Sequence, residues 1–476
     1  MDTEQGKRES LGTRLGFLLV SAGCAIGLGN IWKFPWMVGQ YGGATFVVLY
    51  FLFLALLGLP ILTMEFATGR AAKTSPLRMH EALVPGRAGR WAWHGTLCFA
   101  ANYMLMMFYT TVCGWMFLYA AKSAAGSLGG LSAEQVGRAF DSMLGSPAQT
   151  AGAMAFTVTL AFLILSRGLQ SGLERVTKAM MLVLLLMIVL LAVHCATLPG
   201  ASDGLRFYLR PSLEPFRDPE TQAIDLGRVG GICVAAMNQA FFTLSIGIGA
   251  MAIFGSYIGR GRTMPGEALC VTLLDTFVAV FSGLIIFPAC FAFNGGETGD
   301  GPGLIFVTLP SVFNAMPGGR VLGILFFIFM VFAAFSTVLA VCENIVAMSM
   351  ERMRWSRARA CIVSCIAMLV LSLPCALSFN LLSGIHPFGG SSGILDLEDF
   401  LVSNLALPVG AIAFILFCTR RSDWGWENFI AEANEGSGLK APGGKVARFY
   451  AAYVLPLVVL FVFLVGIWGK IRETLA

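Results

Sequence analysis

Long apolar runs separated by short polar connections recur along the whole chain, and this pattern predicts an all-α polytopic membrane protein with eleven crossing helices. The spans run Leu11 to Gln40, Ala44 to Thr68, Trp91 to Ala121, Thr150 to Leu165, Gly172 to Leu198, Val229 to Tyr257, Glu267 to Phe293, Val321 to Met350, Arg359 to Ser378, Phe400 to Cys418 and Val446 to Lys470. Two of them are interrupted. Leu15 to Val38 is long enough, at about 1.5 Å per residue, to cross a hydrocarbon core about 30 Å thick, yet Gly23, Gly27, Gly29 and Asn30 lie near its midpoint. Peptide groups released there find no water, and each costs several kcal/mol unless it faces protein, a cavity or a ligand. A second copy of the pattern follows in the sixth span, where Ser245-Ile246-Gly247-Ile248-Gly249 echoes Ala25-Ile26-Gly27-Leu28-Gly29. Interrupted helices in corresponding halves point to the binding site of a secondary transporter.

Spans one to five and six to ten each begin with such a helix. Five is odd, so the second group enters the membrane from the opposite side, which makes the repeat inverted. The chain accordingly divides into a cytoplasmic segment 1–10, a first repeat 11–198, an extracellular loop 199–228, a second repeat 229–420, a cytoplasmic loop 421–445, and the last span with an external tail 446–476. Arginine and lysine set the orientation. Clusters such as Arg70, Lys73, Arg78, Arg87 and Arg90, or Arg352, Arg354, Arg357 and Arg359, fall on one side, which is then the cytoplasm. The opposite loops are poorer in charge or acidic, apart from the balanced connection around Arg206 and Arg228. Both ideas place the chain in the plasma membrane as a multi-pass protein, of bacterial inner-membrane type, with its N-terminus cytoplasmic and its C-terminus external. The loop from Asn294 to Gly319 has room for a short helix capping the outer face.

Composition supports this frame. The 476 residues are 57% hydrophobic and only 12% charged, a balance that excludes a soluble domain. The net charge of +5 sits in short loops, so it reads as a topology signal and not as a nucleic-acid surface. The twelve cysteines lie largely within spans and lack CxxC spacing, which suits small core residues better than disulfides or metal ligands. The first apolar run is too long for a signal peptide and is expected to be retained.

The chemistry of broken helices narrows the ligand. Freed amide ends carry partial positive charge and suit a carboxylate, whereas unwound carbonyls suit a small cation. A zwitterionic amino acid accompanied by Na⁺ matches both. Asn30, Tyr109, Gln239, Thr243, Ser245, Ser336 and Thr337 supply neutral oxygens near mid-membrane, although single hydroxyls in such helices commonly bond a carbonyl one turn back. Charges inside spans cost about 2.5 to 3.5 kcal/mol each on insertion scales and default to functional roles. Glu65 suits either a part in transport or a structural role orienting the broken helices. Asp275 suits direct ion binding or charge compensation, and Glu343 a partnership with cytoplasmic arginines.

On these residues the chain resembles the neurotransmitter:sodium symporter family, the LeuT-type amino-acid transporters, over essentially its whole length. The resemblance rests on Gly16, Ser21-Ala22-Gly23, Ile26-Gly27-Leu28-Gly29-Asn30-Ile31-Trp32-Lys33-Phe34-Pro35, Gly42-Gly43-Ala44, Glu65 to Gly69-Arg70, Gln239-Ala240-Phe241-Phe242-Thr243-Leu244-Ser245 and Asp399-Phe400. It implies a LeuT-type 5+5 inverted repeat with helices 1 and 6 broken. One sodium would be held by the carbonyl of Ala25, by Asn30 and Thr243, by Asp275 of span seven, and by the substrate carboxylate. A second would be held by the carbonyls of Gly23, Ile26 and Ala333 and the hydroxyls of Ser336 and Thr337. Tyr109 and the amides around Leu28 and Gly29 would take the substrate carboxylate, and carbonyls near Ala25, Phe242 and Thr243 its ammonium. The side-chain pocket would be Leu28, Leu105, Ser245, Ile248, Val338 and Val341, beside Cys24 and Thr337. Phe242 would close over the substrate, with Lys33 and Asp399 pairing above it through water, and Arg8 with Glu351 would shut the inner side near Tyr257 and Ser256.

Departures from the commoner pattern refine the expectation. Cys24 stands where monoamine carriers have Asp, so a substrate must bring its own carboxylate, which favours amino acids over amines. Asp275 offers a fixed carboxylate near the place where chloride sits in dependent relatives, beside Tyr50, Gln239 and Ser245. Chloride independence follows, and the same carboxylate is a candidate proton acceptor on the return step. Lys33 replaces the more usual Arg and loses its bidentate geometry. The expected activity is therefore Na⁺-coupled symport of a neutral amino acid with an aliphatic or aromatic side chain, without an organic cofactor. Alternatives are a sensor of the same fold, or a symporter of another small carboxylate-bearing amine. A channel lacks a filter motif here. An intramembrane enzyme lacks HExxH, a nucleophile elbow and any mid-span histidine among His80, His94, His194 and His386, so the chain is not expected to be an enzyme.

Overall fold

The first span opens on a capped helix, α1 (Arg14–Ala25), whose start is held by the Gly16 amide donating to Thr13 Oγ1 at 2.9 Å. It stops at Ala25. After three residues α2 (Gly29–Gln40) resumes, bent by 56° from α1. The computed structural model describes residues 10–218, 220–296, 299, 301–316, 318–390 and 392–475. Within them follow α3 (Ala44–Ala72), α4 (Pro76–Leu83), α5 (Ala92–Ala125), α6 (Ala133–Leu144), α7 (Pro147–Leu165), α8 (Leu169–Ala196) and α9 (Ala201–Leu209). The second half holds α10 (Leu226–Thr243), α11 (Ala250–Ser256), α12 (Met264–Phe293), α13 (Leu304–Ala315), α14 (Gly319–Met353), α15 (Arg357–Leu377), α16 (Ile394–Thr419), α17 (Trp426–Ala433) and α18 (Lys445–Arg472).

Among the described residues, nine helices are long and apolar enough to cross a membrane, and the bent pair α1 and α2 makes ten. The remaining expected span, Val229 to Tyr257, falls on α10 and α11, which are separated by the six residues from Leu244 to Gly249. Neither piece alone is among the helices both long and apolar enough to cross. No strand occurs among the described residues, only two isolated bridges. The helix foreseen between Asn294 and Gly319 is α13, and α9 occupies the loop after the fifth span.

Backbone geometry explains the second break. Ser245, Gly247 and Gly249 all take left-handed φ values, 50°, 97° and 71°, which no α-helix accommodates. The interrupted stretch is then gripped from outside. Glu65 of α3 is fully buried and accepts a hydrogen bond from the Gly247 amide, with the Met251 and Ala252 amides at the start of α11 beside it. A carboxylate fits there because that helix start presents unpaired N–H groups. Asn102 of α5 donates to the Ile248 carbonyl at 2.9 Å. Contact with α3 is backbone to backbone: a Cβ on Gly69 would sit 1.8 Å from the Ala252 carbonyl oxygen.

At the arginine-rich end, the fully buried Arg70 pairs at 2.6 Å with Glu432 of α17, and Arg260 meets the same carboxylate at 3.2 Å. Arg357 grips Glu343 with two bonds of 2.8 Å, the arginine partnership expected for Glu343. Arg14 pairs with the buried Glu267 at 2.9 Å. His80 of α4 stacks on Trp91, with ring centroids 5.6 Å apart, and its Nε2 lies 3.2 Å from His94 Nδ1. Burial, partly opposed by Asp423, pushes the His80 imidazole down from 6.5 to about 4.

Two outcomes follow from this packing. Gly69→Ala should cost about 1 to 3 kcal/mol through overpacking against the α11 backbone, whereas Gly152→Ala, which meets nothing within 4 Å, should be neutral in thermal unfolding of the purified protein. Equal melting temperatures for the two would refute the contact. Because the folded state keeps His80 neutral, its contribution to stability is intact above pH 6.5 and declines as pH falls toward 4. His80→Gln should flatten the melting-temperature profile across that interval, and an unchanged slope would show that His80 does not set it.

Candidate functional site

The two breaks face each other at the centre of the bundle, and the groups freed by one are met by side chains from α5, α12 and α14. On the α14 side, Ser336 Oγ lies 3.1 Å from the Gly23 carbonyl and 2.9 Å from the Ala333 carbonyl. Thr337 Oγ1 lies 3.1 Å from the Gly23 carbonyl and 3.0 Å from that of Ile26. Five oxygens thus converge from two elements, and the hydroxyls bring only two protons among them. Each proton can serve one carbonyl, so lone pairs remain in excess in a fully buried spot. A small hard cation satisfies such a set, since carbonyl and hydroxyl oxygens are its preferred donors.

A second polar knot lies on the α12 side. Asn30 Nδ2 donates toward Asp275 Oδ1 at 2.8 Å, with the Asp275 carbonyl and Thr243 Oγ1 each at 3.1 Å. Thr243 Oγ1 in turn donates to Asp275 Oδ2 at 2.9 Å. All three side chains are fully buried. The Asn30 carbonyl oxygen Oδ1 accepts from the Gly27 amide at 3.1 Å, so a half-turn of this amide exchanges a donor for an acceptor beside Thr243 and Asp275. Ser282 pins the Asn30 backbone carbonyl at 2.7 Å, and Gln239 Nε2 donates to the Gly29 carbonyl at 2.9 Å.

Between the knots lies a narrow cavity, with about 20 Å³ of room for water-sized centres. Cys24, Ala25, Gly29, Leu105, Tyr109, Phe242, Ser245, Ile248 and Thr337 line it, as the sequence places them. Val402 and Leu407 of α16 and Gly27 line it too. The first two are ordinary apolar residues of a membrane span, and nothing in the sequence distinguishes them from lipid-facing neighbours. Thr243 lies in the Asn30 knot, and Leu28, Val338 and Val341 are buried without lining the cavity. The Leu28 amide donates to the Tyr109 hydroxyl at 2.9 Å, which leaves the phenol proton itself to donate. This approach needs a glycine at 27, because a Cβ there would come within 2.1 Å of Tyr109 Oη and 2.7 Å of Thr337 Oγ1.

Three residues stack on one side of the cavity. Phe242 lies over Gly29, Lys33 Nζ sits 4.0 Å from the Phe242 ring centroid, and the same ammonium is 3.8 Å from Asp399 Oδ2. Lys33 thus pairs with Asp399 as expected, at a distance beyond a direct hydrogen bond, and also leans on the ring face, as a point charge on a flexible stem can. Asp399 also accepts from Ser403 at 2.7 Å. Of the residues expected at the inner gate, Arg8 lies outside the described residues. Glu351 accepts from the Ser75 amide at 3.0 Å, and Tyr257 Oη donates to Glu343 Oε1 at 3.3 Å. Asn102 is the functional residue that sequence reasoning passed over. An asparagine within an apolar span was the available signal.

Comparison with known proteins agrees with this geometry. The family model for the sodium:neurotransmitter symporter family matches residues 8–136 and 131–474. The sodium-dependent transporter YhdH of Bacillus subtilis is 36% identical, over 95% of this chain and 96% of its own length. The sodium-dependent serotonin transporter of Drosophila melanogaster is 24% identical, over 97% of this chain and 77% of its own. Among solved structures, the crystal structure of MhsT in complex with L-phenylalanine superposes with a TM-score of 0.84 at 35% identity, covering 97% of this chain and all of that one. With its two facing breaks, its buried oxygen clusters and these matches along nearly its full length, the chain belongs to the sodium:neurotransmitter symporter family, a family of sodium-dependent transporters, and has the LeuT-type fold.

Proposed function

We propose that this protein carries neutral amino acids with apolar side chains across the plasma membrane together with Na⁺, by alternating access and without chloride. The observation that carries the reading is the convergence of five buried oxygens with two protons where α14 meets the break after α1. That set is the proposed second sodium site, and Ala25, Asn30, Thr243 and Asp275 form the first, completed by the carboxylate of the substrate. A ligand shared by ion and substrate couples them, since each then raises the affinity of the other by the same factor.

The cavity supports the substrate class. Cys24 provides no charge for a lone amine, whereas the Tyr109 hydroxyl, which keeps its own proton while accepting from the Leu28 amide, offers a donor to a carboxylate. Leu105, Ile248, Val402 and Leu407 supply an apolar lining. The structural neighbour MhsT is seen with L-phenylalanine, which favours the same class here. The Lys33, Phe242 and Asp399 stack acts as the outer gate, and Tyr257 with Glu351 belongs to the inner one. The two repeats, 11–198 and 229–420, rock about the site. Each sodium moved inward contributes about 2.3 kcal/mol per 100 mV, so two support accumulation of roughly a thousand-fold from the electrical part alone.

Asp275 accounts for the chloride reading. Its carboxylate sits within hydrogen-bond reach of both Asn30 and Thr243 and supplies in fixed form the negative charge that balances two entering cations.

Uptake of labelled amino acids into proteoliposomes tests the whole. We expect accumulation that requires an inward Na⁺ gradient, competition by apolar amino acids above all others, and at least a tenfold rise in the Na⁺ concentration for half-activation in Thr337→Val. Binding without uptake would instead indicate a sensor, and an unaltered Na⁺ requirement in the variant would remove Thr337 from the ion site. Asp275→Ser should convert the carrier into one stimulated by chloride. Indifference of that variant to chloride, with residual transport present, would eliminate the fixed-anion role.

A further inference from the structure

A second cavity lies far from the transport site, at the arginine-rich end of the molecule, in the groove between the start of α5, the lower half of α16 and α18. Its volume is about 350 Å³, against about 20 Å³ for the central cavity by the same measure, and it opens on the lipid-facing side. Ile412 and Leu416 of α16 and Leu460 of α18 form an apolar trough. Trp93 flanks it and is 48% exposed. At its mouth stand Arg90 and Arg420, both exposed.

The charge balance at this mouth is one-sided. Arg70, Arg357 and Arg14 each meet a buried carboxylate at 2.6 to 2.9 Å, but neither Arg90 nor Arg420 has an ion-pair partner among the described residues. Between Val84 and Trp93, and between Val409 and Trp424, the sequence contains one acid, Asp423. That carboxylate is buried and already accepts from the Trp91 indole at 3.1 Å and from Ser422 Oγ at 3.2 Å. Arg87 and Arg421 add two more positive charges on the same segments. Two guanidiniums without a counter-charge therefore bracket an apolar trough at the level of the membrane interface, with an interfacial tryptophan beside them.

From this placement we propose that the groove is a binding site for one anionic phospholipid of the cytoplasmic leaflet. Its phosphate lies between Arg90 and Arg420, which suit bidentate recognition of phosphate oxygens, and one acyl chain runs up the trough along Ile412, Leu416 and Leu460. A soluble phosphate meets only half of this site. The apolar trough, directly continuous with the charged mouth, selects a headgroup that carries its own hydrocarbon. The lipid would also bridge α16 to α18, which meet along this groove.

Native mass spectrometry of the full-length, delipidated protein tests the proposal, with phosphatidylglycerol and phosphatidylcholine of identical chains as probes. One phosphatidylglycerol should be retained in preference to phosphatidylcholine. Arg90→Gln with Arg420→Gln should lower that retention at least tenfold, while Arg167→Gln with Arg352→Gln, the same charge change elsewhere on that face, should leave it intact. Ile412→Trp should fill the trough and release the lipid with both arginines present, and melting temperature checks that each variant is folded. Equal loss in both double variants, no preference between the two lipids, or displacement of the lipid by an equal concentration of soluble glycerophosphoglycerol would overturn it.

Discussion

A peptide group stripped of its helical partner inside a membrane must find another, and that requirement organises this protein. Two helices are broken at mid-depth, and several of the freed groups meet side chains. Gly247 N–H goes to Glu65, the Ile248 carbonyl to Asn102, Leu28 N–H to Tyr109, Gly27 N–H to Asn30, and the Gly23 and Ile26 carbonyls to Thr337. Apart from Asn30, which lies in α2 of the first span itself, those partners come from α3, α5 and α14, which are continuous through the same depth. Intact helices thus act as a frame that carries the polar side chains needed to stabilise the interrupted ones.

The site is a direct consequence of that arrangement. Groups that satisfy the breaks are also the groups that can hold a cation or a carboxylate, and they are too few in protons to satisfy one another completely. Thr337 has one proton for two carbonyls of α1, and Asp275 offers two oxygens to Asn30 and Thr243. Binding and local backbone order are then one equilibrium, so a ligand that completes the set also fixes the relative position of the two breaks. The stack of Lys33 on Phe242 lies against Gly29, on the broken helix itself.

Charge at the arginine-rich end divides by environment. Arg70, Arg357 and Arg14 are locked on Glu432, Glu343 and Glu267, carboxylates that are almost wholly buried, and breaking such a pair leaves an uncompensated charge inside the protein. These contacts tie α3 to α17, α14 to the start of α15 and α1 to α12, across the connections between spans. Arg90 and Arg420 are exposed beside an apolar groove. One residue type is paired with a buried carboxylate in the first place and exposed in the second.

Much of this was legible in the chain. Hydropathy located the spans to within a few residues, because in lipid the pattern is set by solvent and only weakly by neighbours. The glycines at 23, 27, 29, 247 and 249 marked both breaks, since the close approach at 27 and the φ values at 247 and 249 favour glycine. Residue type and the family resemblance together proposed Asn30, Thr243, Asp275, Ser336 and Thr337 as ion ligands. Sequence alone could not choose between the two roles of Glu65. The fold places that carboxylate on the amide of Gly247 and sends Arg70 to Glu432, 362 positions away. Nor could it find Val402 and Leu407 in the cavity or Asn102 on the Ile248 carbonyl, because which face of a uniformly apolar helix turns inward is decided by packing against other helices. Sequence determined where the helices had to break and what chemistry stood at the breaks. Only the tertiary structure decided which distant side chains met there, since each partnership joins residues that nothing along the chain brings together.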